Sequence, residues 1–195
     1  MSTTEHSQMC DTEAPAKTFL YFAYGSNMSS RRLQHATRAP SAVPAGSGSV
    51  SGYRLVFDKA SIDGSGKADC ERTGELTDRV FGGLFRVSVG DTVALDKTEG
   101  AYGATAGYRR TEIEVDTDKG PAKAVTYLAT NKQPNLLPYP WYIQHVLVGA
   151  REFGLPADYV ATIQRLPTQS DLNTERAARE LAIYAPKAGA AEGTA

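Results

Sequence analysis

The sequence predicts an α+β fold built on a mixed sheet, and three observations carry that expectation. Strand patterns crowd the first two thirds of the chain, helical patterns fill the last third, and one short helix comes early. No internal repeat divides the 195 residues. That length suits one domain able to bury a core without staples.

The first element is the one the rest is arranged around. Thr18 to Tyr24 is a run of strand-forming residues, apolar or aromatic on both faces, which marks a central strand. It stops at Gly25-Ser26-Asn27, and Ser29 to about Ala36 reads as a helix with Ser29 or Ser30 as N-cap. A strand ending in Gly-Ser-Asn at a helix mouth is suited to hold a negative group, because backbone N–H groups there are unpaired and the peptide dipoles add partial positive charge.

Pro40 to Gly52, rich in Gly, Ser and Pro, leads into a strand in which Tyr53, Leu55 and Phe57 alternate with Arg54, Val56 and Asp58. Asp63-Gly64-Ser65-Gly66 marks a loop, with Cys70 in the Gly/Asp-rich segment around it. Arg79 to Val87 is a strand whose Gly82-Gly83 pair admits a close neighbour. Val89 to Thr98 is a short helix with Asp91 as N-cap candidate, stopped by Gly100. Tyr108 to Asp116 and Lys123 to Thr130 form a hairpin around Asp118-Lys119-Gly120-Pro121.

Three helices follow. The first starts at Pro140 or Trp141, with a stripe of Ile143, Val146, Leu147 and Ala150, and ends at Gly154. Pro156 opens the second, bearing Tyr159, Ile163 and Leu166. The third runs from about Asp171 with Leu172, Ala178 and Leu181 inward. Polar residues 1–17 and the Ala/Gly-rich residues 185–195 are expected to be disordered tails on a single catalytic domain, 18–184.

Composition narrows the function. A net charge of -1 argues against binding nucleic acid by phosphate neutralisation. No apolar run approaches the roughly 18 residues of a membrane span. Residues 1–17 lack the apolar stretch of a secretory signal. Two cysteines, Cys10 and Cys70, are too few for a disulfide scaffold, so a reducing, cytoplasmic setting is the expectation. His6 lies in the tail, and His35 and His145 each stand alone on a helix without a second ligand at i+3 or i+4. Neither a metal nor another cofactor is expected. Nor has Cys70 a base beside it in sequence to make it a nucleophile.

Carboxylates and the Gly-Ser-Asn loop remain. Glu112 and Glu114 face solvent on a strand, Asp118 turns the chain, and Glu175 and Glu180 lie on a charged helix face. Glu99 differs. It ends a helix, where a carboxylate meets the negative end of the dipole at a cost of a few tenths to about 1 kcal/mol. Physical chemistry alone leaves two readings: a functional carboxylate, or an exposed residue ahead of a C-cap.

Three blocks of residues carry a family resemblance. Phe19-Leu20-Tyr21-Phe22-Ala23-Tyr24-Gly25-Ser26-Asn27-Met28 resembles the opening signature of the γ-glutamylcyclotransferases. Leu95-Asp96-Lys97-Thr98-Glu99-Gly100, followed by Gly107-Tyr108, resembles the second. The run from Tyr127 to Asn131, then Pro140-Trp141-Tyr142-Ile143, then Gly149 to Tyr159 with its Gly-Leu-Pro, is similar to the branch acting on γ-glutamyl amino acids. The resemblance spans roughly residues 18–166.

It implies a small mixed β-barrel-like sheet flanked by helices. It implies cyclisation of an L-γ-glutamyl amino acid or amide to 5-oxoproline with release of the amine. Glu99 would be the catalytic residue, cradled by Tyr24, Gly25, Ser26 and Asn27, with Tyr108 and Tyr142 lining the pocket. The substrate would be a small molecule, with no nucleic acid or membrane partner. The Tyr102–Ala106 segment is longer than the family's usual spacing and could alter the leaving group. Alternatives within the mechanism are a glutathione-specific or a biosynthetic γ-glutamyl-removing enzyme. The rival from another class is a non-catalytic protein that binds small carboxylates. A carboxylate in the site works against it, because like charge repels an anion. Nothing in the sequence fixes an oligomeric state.

Overall fold

The computed structural model describes residues 16–103 and 106–186. Cys10, His6 and most of the expected tails lie outside these residues. Seven strands are present among them: β1 (Thr18–Ala23), β2 (Val43–Ser51), β3 (Tyr53–Ala60), β4 (Gly66–Arg72), β5 (Arg79–Ser88), β6 (Tyr108–Thr117) and β7 (Gly120–Ala129). Five helices accompany them: α1 (Ser30–Leu33), α2 (Thr92–Glu99), α3 (Pro140–Glu152), α4 (Ala157–Gln164) and α5 (Thr174–Leu181). Five strands close into a barrel in the order β1-β5-β2-β6-β7, and β3 and β4 form a separate hairpin sheet. The expected α+β class with a mixed, barrel-like sheet is the observed architecture.

β1 is central, as its apolar faces predict. It runs antiparallel to β5 and parallel to β7, meeting β7 at Tyr21 and Val125. Tyr21, Phe22 and Ala23 are all buried. This parallel pairing closes the barrel, so the end of β1 opens at one mouth of it.

Two strands were hidden in the sequence. The segment read as a Gly/Ser/Pro-rich lead is β2, paired with β5 on one side and β6 on the other. Gly48 is small because β6 passes close: a Cβ there would sit 2.5 Å from Val115 Cγ1. The segment read as a loop around Cys70 is β4, which pairs with β3 and buries the thiol. Burial pushes the Cys70 thiol well above its usual pKa, which suits a packing role.

The early helix is shorter than expected. Ser26–Met28 forms a single 3₁₀ turn, and α1 is one turn of α-helix, with His35 in the turn that follows rather than on the helix. Ser29 makes no capping bond; its Oγ accepts from Tyr184 Oη at 3.0 Å. Asp91 likewise caps nothing and accepts from Ser41 N and Oγ at 2.9 and 2.6 Å. α2 does end on Gly100, in the left-handed conformation at φ 63°. The Gly82-Gly83 pair admits Ala23 and Phe153, as its sequence suggests.

α3 follows its predicted stripe, with Ile143, Val146, Leu147 and Ala150 buried and Pro140 in its first turn. Gly149 lets it touch the 3₁₀ turn directly, since a Cβ there would lie 2.3 Å from Met28 Cβ. His145 on this helix is fully buried. Arg32 Nη1 lies 3.2 Å from its Nε2. Glu180 Oε2 lies 3.4 Å from the same nitrogen, and Tyr184 Oη faces Nδ1 at 2.7 Å. Burial holds this imidazole below its ordinary pKa.

α5 corrects another expectation. Leu172 is 94% exposed, Ala178 is exposed, and no residue of α5 is buried. Polar contacts hold the helix instead. Asp171 pairs with Arg176 and accepts from Trp141 Nε1 at 2.7 Å, Asn173 accepts from Arg176 N at 2.8 Å, and Glu180 pairs with Arg32. Among the described residues, no helix is long and apolar enough to cross a membrane.

Candidate active site

A small pocket opens where β1 runs into the 3₁₀ turn. Its floor and walls come from distant parts of the chain: Tyr24 to Asn27 after β1, Ala68 of β4, Glu99 at the end of α2, Tyr108 of β6, Tyr127 of β7 and Tyr142 of α3. The barrel supplies the frame, and the hairpin and helices close the sides.

Glu99 reaches this pocket because it is the last helical residue of α2, and the left-handed Gly100 turns the chain away beneath it. Asn27 Nδ2 donates to Glu99 Oε1. The other end of the same amide, Oδ1, accepts from Arg38 Nη1 at 3.1 Å. Burial raises the Glu99 carboxyl above the ordinary carboxylate range. The Arg38, Arg32 and Lys59 charges and the Asn27 hydrogen bond pull it back, without cancelling the rise. A carboxyl displaced this way spans both protonation states nearer neutrality, as a group that both takes and gives a proton requires.

Five tyrosines line the pocket: Tyr21, Tyr24, Tyr108, Tyr127 and Tyr142. Tyr24 donates to the carbonyl of Tyr127. Tyr108 donates to the Ala68 carbonyl at 2.7 Å, and Tyr142 Oη accepts from the Ala68 N–H at 3.1 Å. Ala68 lies inside the irregularity of the β3–β4 register, so two tyrosine hydroxyls take the peptide groups that a neighbouring strand would otherwise pair. Burial lifts the phenols of Tyr21, Tyr24, Tyr108 and Tyr142, so all four stay neutral at physiological pH. Lys59 Nζ lies 5.2 Å from the centre of the Tyr108 ring, which puts a cation at the rim.

The 3₁₀ turn leaves donors free. The N–H groups of Met28 and Ser29 close onto Gly25 and Ser26 carbonyls at 3.0 and 3.3 Å. Those of Ser26 and Asn27 have no partner among the described residues. Both residues line the pocket, and two successive free N–H groups there can form an anion-binding concavity. This replaces the helix dipole expected from the sequence, since one turn of helix carries little dipole.

Every residue singled out from the sequence for this site meets in one pocket: Tyr24, Gly25, Ser26, Asn27, Glu99, Tyr108 and Tyr142. Tyr102 is 53% exposed and stands outside the pocket, whereas Tyr21 and Tyr127 line it. Of the Tyr102–Ala106 segment, residues 104–105 lie outside the described residues. Tyr21 was missed although strand alternation places it on the face shared with Ala23, next to Gly25. Tyr127 and Ala68 carried no local signal. Among the described residues, no three His, Cys, Asp or Glu side chains gather as a metal site.

A closed barrel with one carboxylate in a tyrosine-walled pocket frames the site of a small-molecule enzyme, and comparison with known proteins gives its class. Residues 79–163 match the model of the AIG2-like family. The γ-glutamylcyclotransferase of Mus musculus is 33% identical over 153 residues, covering 73% of this chain and 76% of the mouse protein. The Homo sapiens γ-glutamylcyclotransferase is 31% identical over the same span. A solved structure named as a γ-glutamyl cyclotransferase superposes with a TM-score of 0.70 at 28% identity, covering 78% of this chain and 90% of that one. The chain belongs to the γ-glutamylcyclotransferase family.

Proposed function

We propose that this enzyme converts an L-γ-glutamyl amino acid or amide to 5-oxoproline and a free amine, with Glu99 moving the proton. One observation carries the reading: a raised carboxyl stands in the same pocket as two unpaired backbone N–H groups. A base and an anion cradle in one small cavity are what an intramolecular aminolysis asks of a protein.

The substrate brings its own nucleophile. Its α-amine attacks the γ-carbonyl carbon, a C–N bond forms, and the carbonyl electrons move to oxygen. The C–N bond to the leaving amine then breaks as that oxygen returns to carbonyl. Glu99 takes a proton from the attacking nitrogen and delivers it to the departing one, so the carboxylate is restored. The N–H groups of Ser26 and Asn27 receive the developing oxyanion or the substrate α-carboxylate. Tyr24, Tyr108 and Tyr142 fold the γ-glutamyl chain back on itself. Holding it in a near-attack shape is worth roughly 7–11 kcal/mol of barrier.

The reading extends to a place in 5-oxoproline and glutathione metabolism and to a cytoplasmic location, which the buried free thiol of Cys70 favours. Residues 18–184 form the catalytic domain in this proposal. The test is 5-oxoproline release, followed by mass spectrometry across γ-glutamyl-alanine, glutathione and γ-glutamyl-lysine. Absence of 5-oxoproline from every member, alongside tight calorimetric binding, would turn the reading toward a carboxylate-binding protein.

A further inference from the structure

We propose that Arg38 is a positioning residue for the reaction: its guanidinium fixes the Asn27 amide in one orientation, and the amide in turn holds Glu99. The inference rests on the function proposed above. Arg38 is absent from the lining of the pocket and contributes through Asn27.

The argument is one of polarity. Arg38 Nη1 donates to Asn27 Oδ1 at 3.1 Å, and Asn27 Nδ2 donates to Glu99 Oε1. An amide is nearly symmetric in shape, so a half-turn of the side chain costs little in packing. It reverses the chemistry, however. A guanidinium can only donate and an ionised carboxylate can only accept. The observed direction is therefore the one that satisfies both ends of the amide. The second hydrogen of Nδ2 points toward Tyr21 Oη, 3.4 Å away. Asn27 is 4% exposed, so water cannot substitute for a missing partner without cost.

Without Arg38, Oδ1 is left buried and unpaired. The amide is then free to turn its oxygen to Glu99, and that contact is favourable only when the carboxyl is protonated. Arg38 thus selects the proton-accepting form of Glu99 as well as its direction. The fold is built to present it. α1 ends within one turn, and Arg38 N donates to the His35 carbonyl at 2.8 Å, curling the chain back toward Asn27. Its other side faces a cleft of about 690 Å³ lined by Arg31, Arg32, Arg179 and Glu180, open enough to admit a small cation.

Charged and titratable groups around Glu99 are Arg38, Arg32 and Lys59, together with the phenols of Tyr21, Tyr108, Tyr127 and Tyr142. Among the cations, Arg38 exerts the largest pull toward the ionised form. Its loss therefore raises the carboxyl pKa further.

The experiment compares Arg38→Met, Arg38→Lys and Arg179→Ala with the unaltered enzyme, all checked for folding by circular dichroism. For 5-oxoproline release, R38M is expected to lose about a hundredfold in kcat with little change in KM, and its acid limb to move to higher pH. R38K, which keeps a donor, recovers part of this. Guanidinium added to R38M restores part of kcat through the open cleft. R179A, an arginine of the same cleft with no bond to Asn27, keeps the original rate and pH profile. A second readout is independent of turnover: titration of the Glu99 carboxyl by carbon-13 NMR, where R38M shifts the midpoint upward. Should R38M keep its kcat and its Glu99 titration, or should R179A fall equally, the positioning role is overturned. Should the unaltered enzyme release no 5-oxoproline, the function fails instead, and the NMR titration still decides on Arg38. If R38M does not fold, R38K carries the comparison: an unchanged pH profile and Glu99 titration there count against the proposal.

Discussion

Tyr127 of β7 donates through its hydroxyl to Asp96, three residues before Glu99 on α2. The barrel wall is thereby tied to the helix that carries the glutamate. Asp96 also faces Arg110 of β6 at 3.7 Å, so both strands of one hairpin grip the same carboxylate. Tyr127→Phe removes a hydrogen bond worth about 1 kcal/mol or more, since its acceptor is charged. Urea denaturation should record that loss, and kcat should fall several-fold as α2 gains freedom. An unaltered kcat would mean that α2 is held by its packing alone.

Replacing Glu99 by Gln keeps an acceptor for Asn27 but removes the proton carrier. A fall of about 10²–10⁴-fold in kcat is expected, measured as 5-oxoproline released from γ-glutamyl-alanine. Turnover that survives intact would remove Glu99 from the mechanism.

The same substitution should stabilise the fold. Glu99 has its pKa raised in the folded state, so its contribution to stability is full below the unfolded value and is lost as pH rises through the folded one. Ionisation at neutral pH therefore works against the native state. Thermal melts of E99Q should lie above those of the unaltered chain at pH 7, and the two should converge in acid below the ordinary carboxylate pKa of about 4.3. A lower Tm for E99Q at pH 7 would contradict the burial argument.

Glu180 has the opposite sign. The imidazole of His145 and the guanidinium of Arg32 hold its carboxyl down to about 2. Its contribution is present above the unfolded carboxylate pKa and disappears as pH falls through that depressed value. Glu180→Gln should cost roughly 1.5–3 kcal/mol at pH 7, where a buried imidazole and a charged guanidinium lose their partner. The deficit should shrink steadily between about pH 4 and pH 2 in denaturation curves.

Gly25→Ala tests the cradle without touching charge. The added Cβ would lie 3.0 Å from Ala68 Cβ and 3.2 Å from Tyr142 Oη, at the pocket wall. The φ of -110° is open to any residue, so crowding is the whole effect. Moving the turn by a fraction of an ångström should lower kcat by up to about a hundredfold while Tm changes little.

What the sequence disclosed follows from where the signals are local. β1, β5 and the β6–β7 hairpin were legible because their alternation and bounding turns are local, and α3 because its stripe is long. β2 was invisible because Val115 leaves no room for a side chain at Gly48, and the Gly, Ser and Pro around it are residues that also mark loops. β4 was hidden by the loop chemistry of its neighbours. α1 and α5 were overstated for opposite reasons: α1 yields to the turn that presents Arg38, and α5 is held by polar pairs rather than by the leucines its pattern offered. Within the site, Glu99 and the Tyr24–Asn27 turn stood out because each violates or interrupts a local rule. Arg38, Ala68, Tyr127 and Lys59 did not, because each matters only through a partner tens of residues away.

Ala68 has a consequence of its own. Its strand is no part of the barrel, yet two site tyrosines grip its peptide. Lys132, just beyond β7, binds Asp58, Asp69 and Glu71 of the same hairpin at 3.1, 2.9 and 3.0 Å. This wall of the pocket is thus an interchangeable part, clipped on by a few polar fasteners. A lineage, or an engineer, could trade that hairpin for another and reshape one side of the cavity, while Glu99 and the Tyr24–Asn27 turn stay where they are.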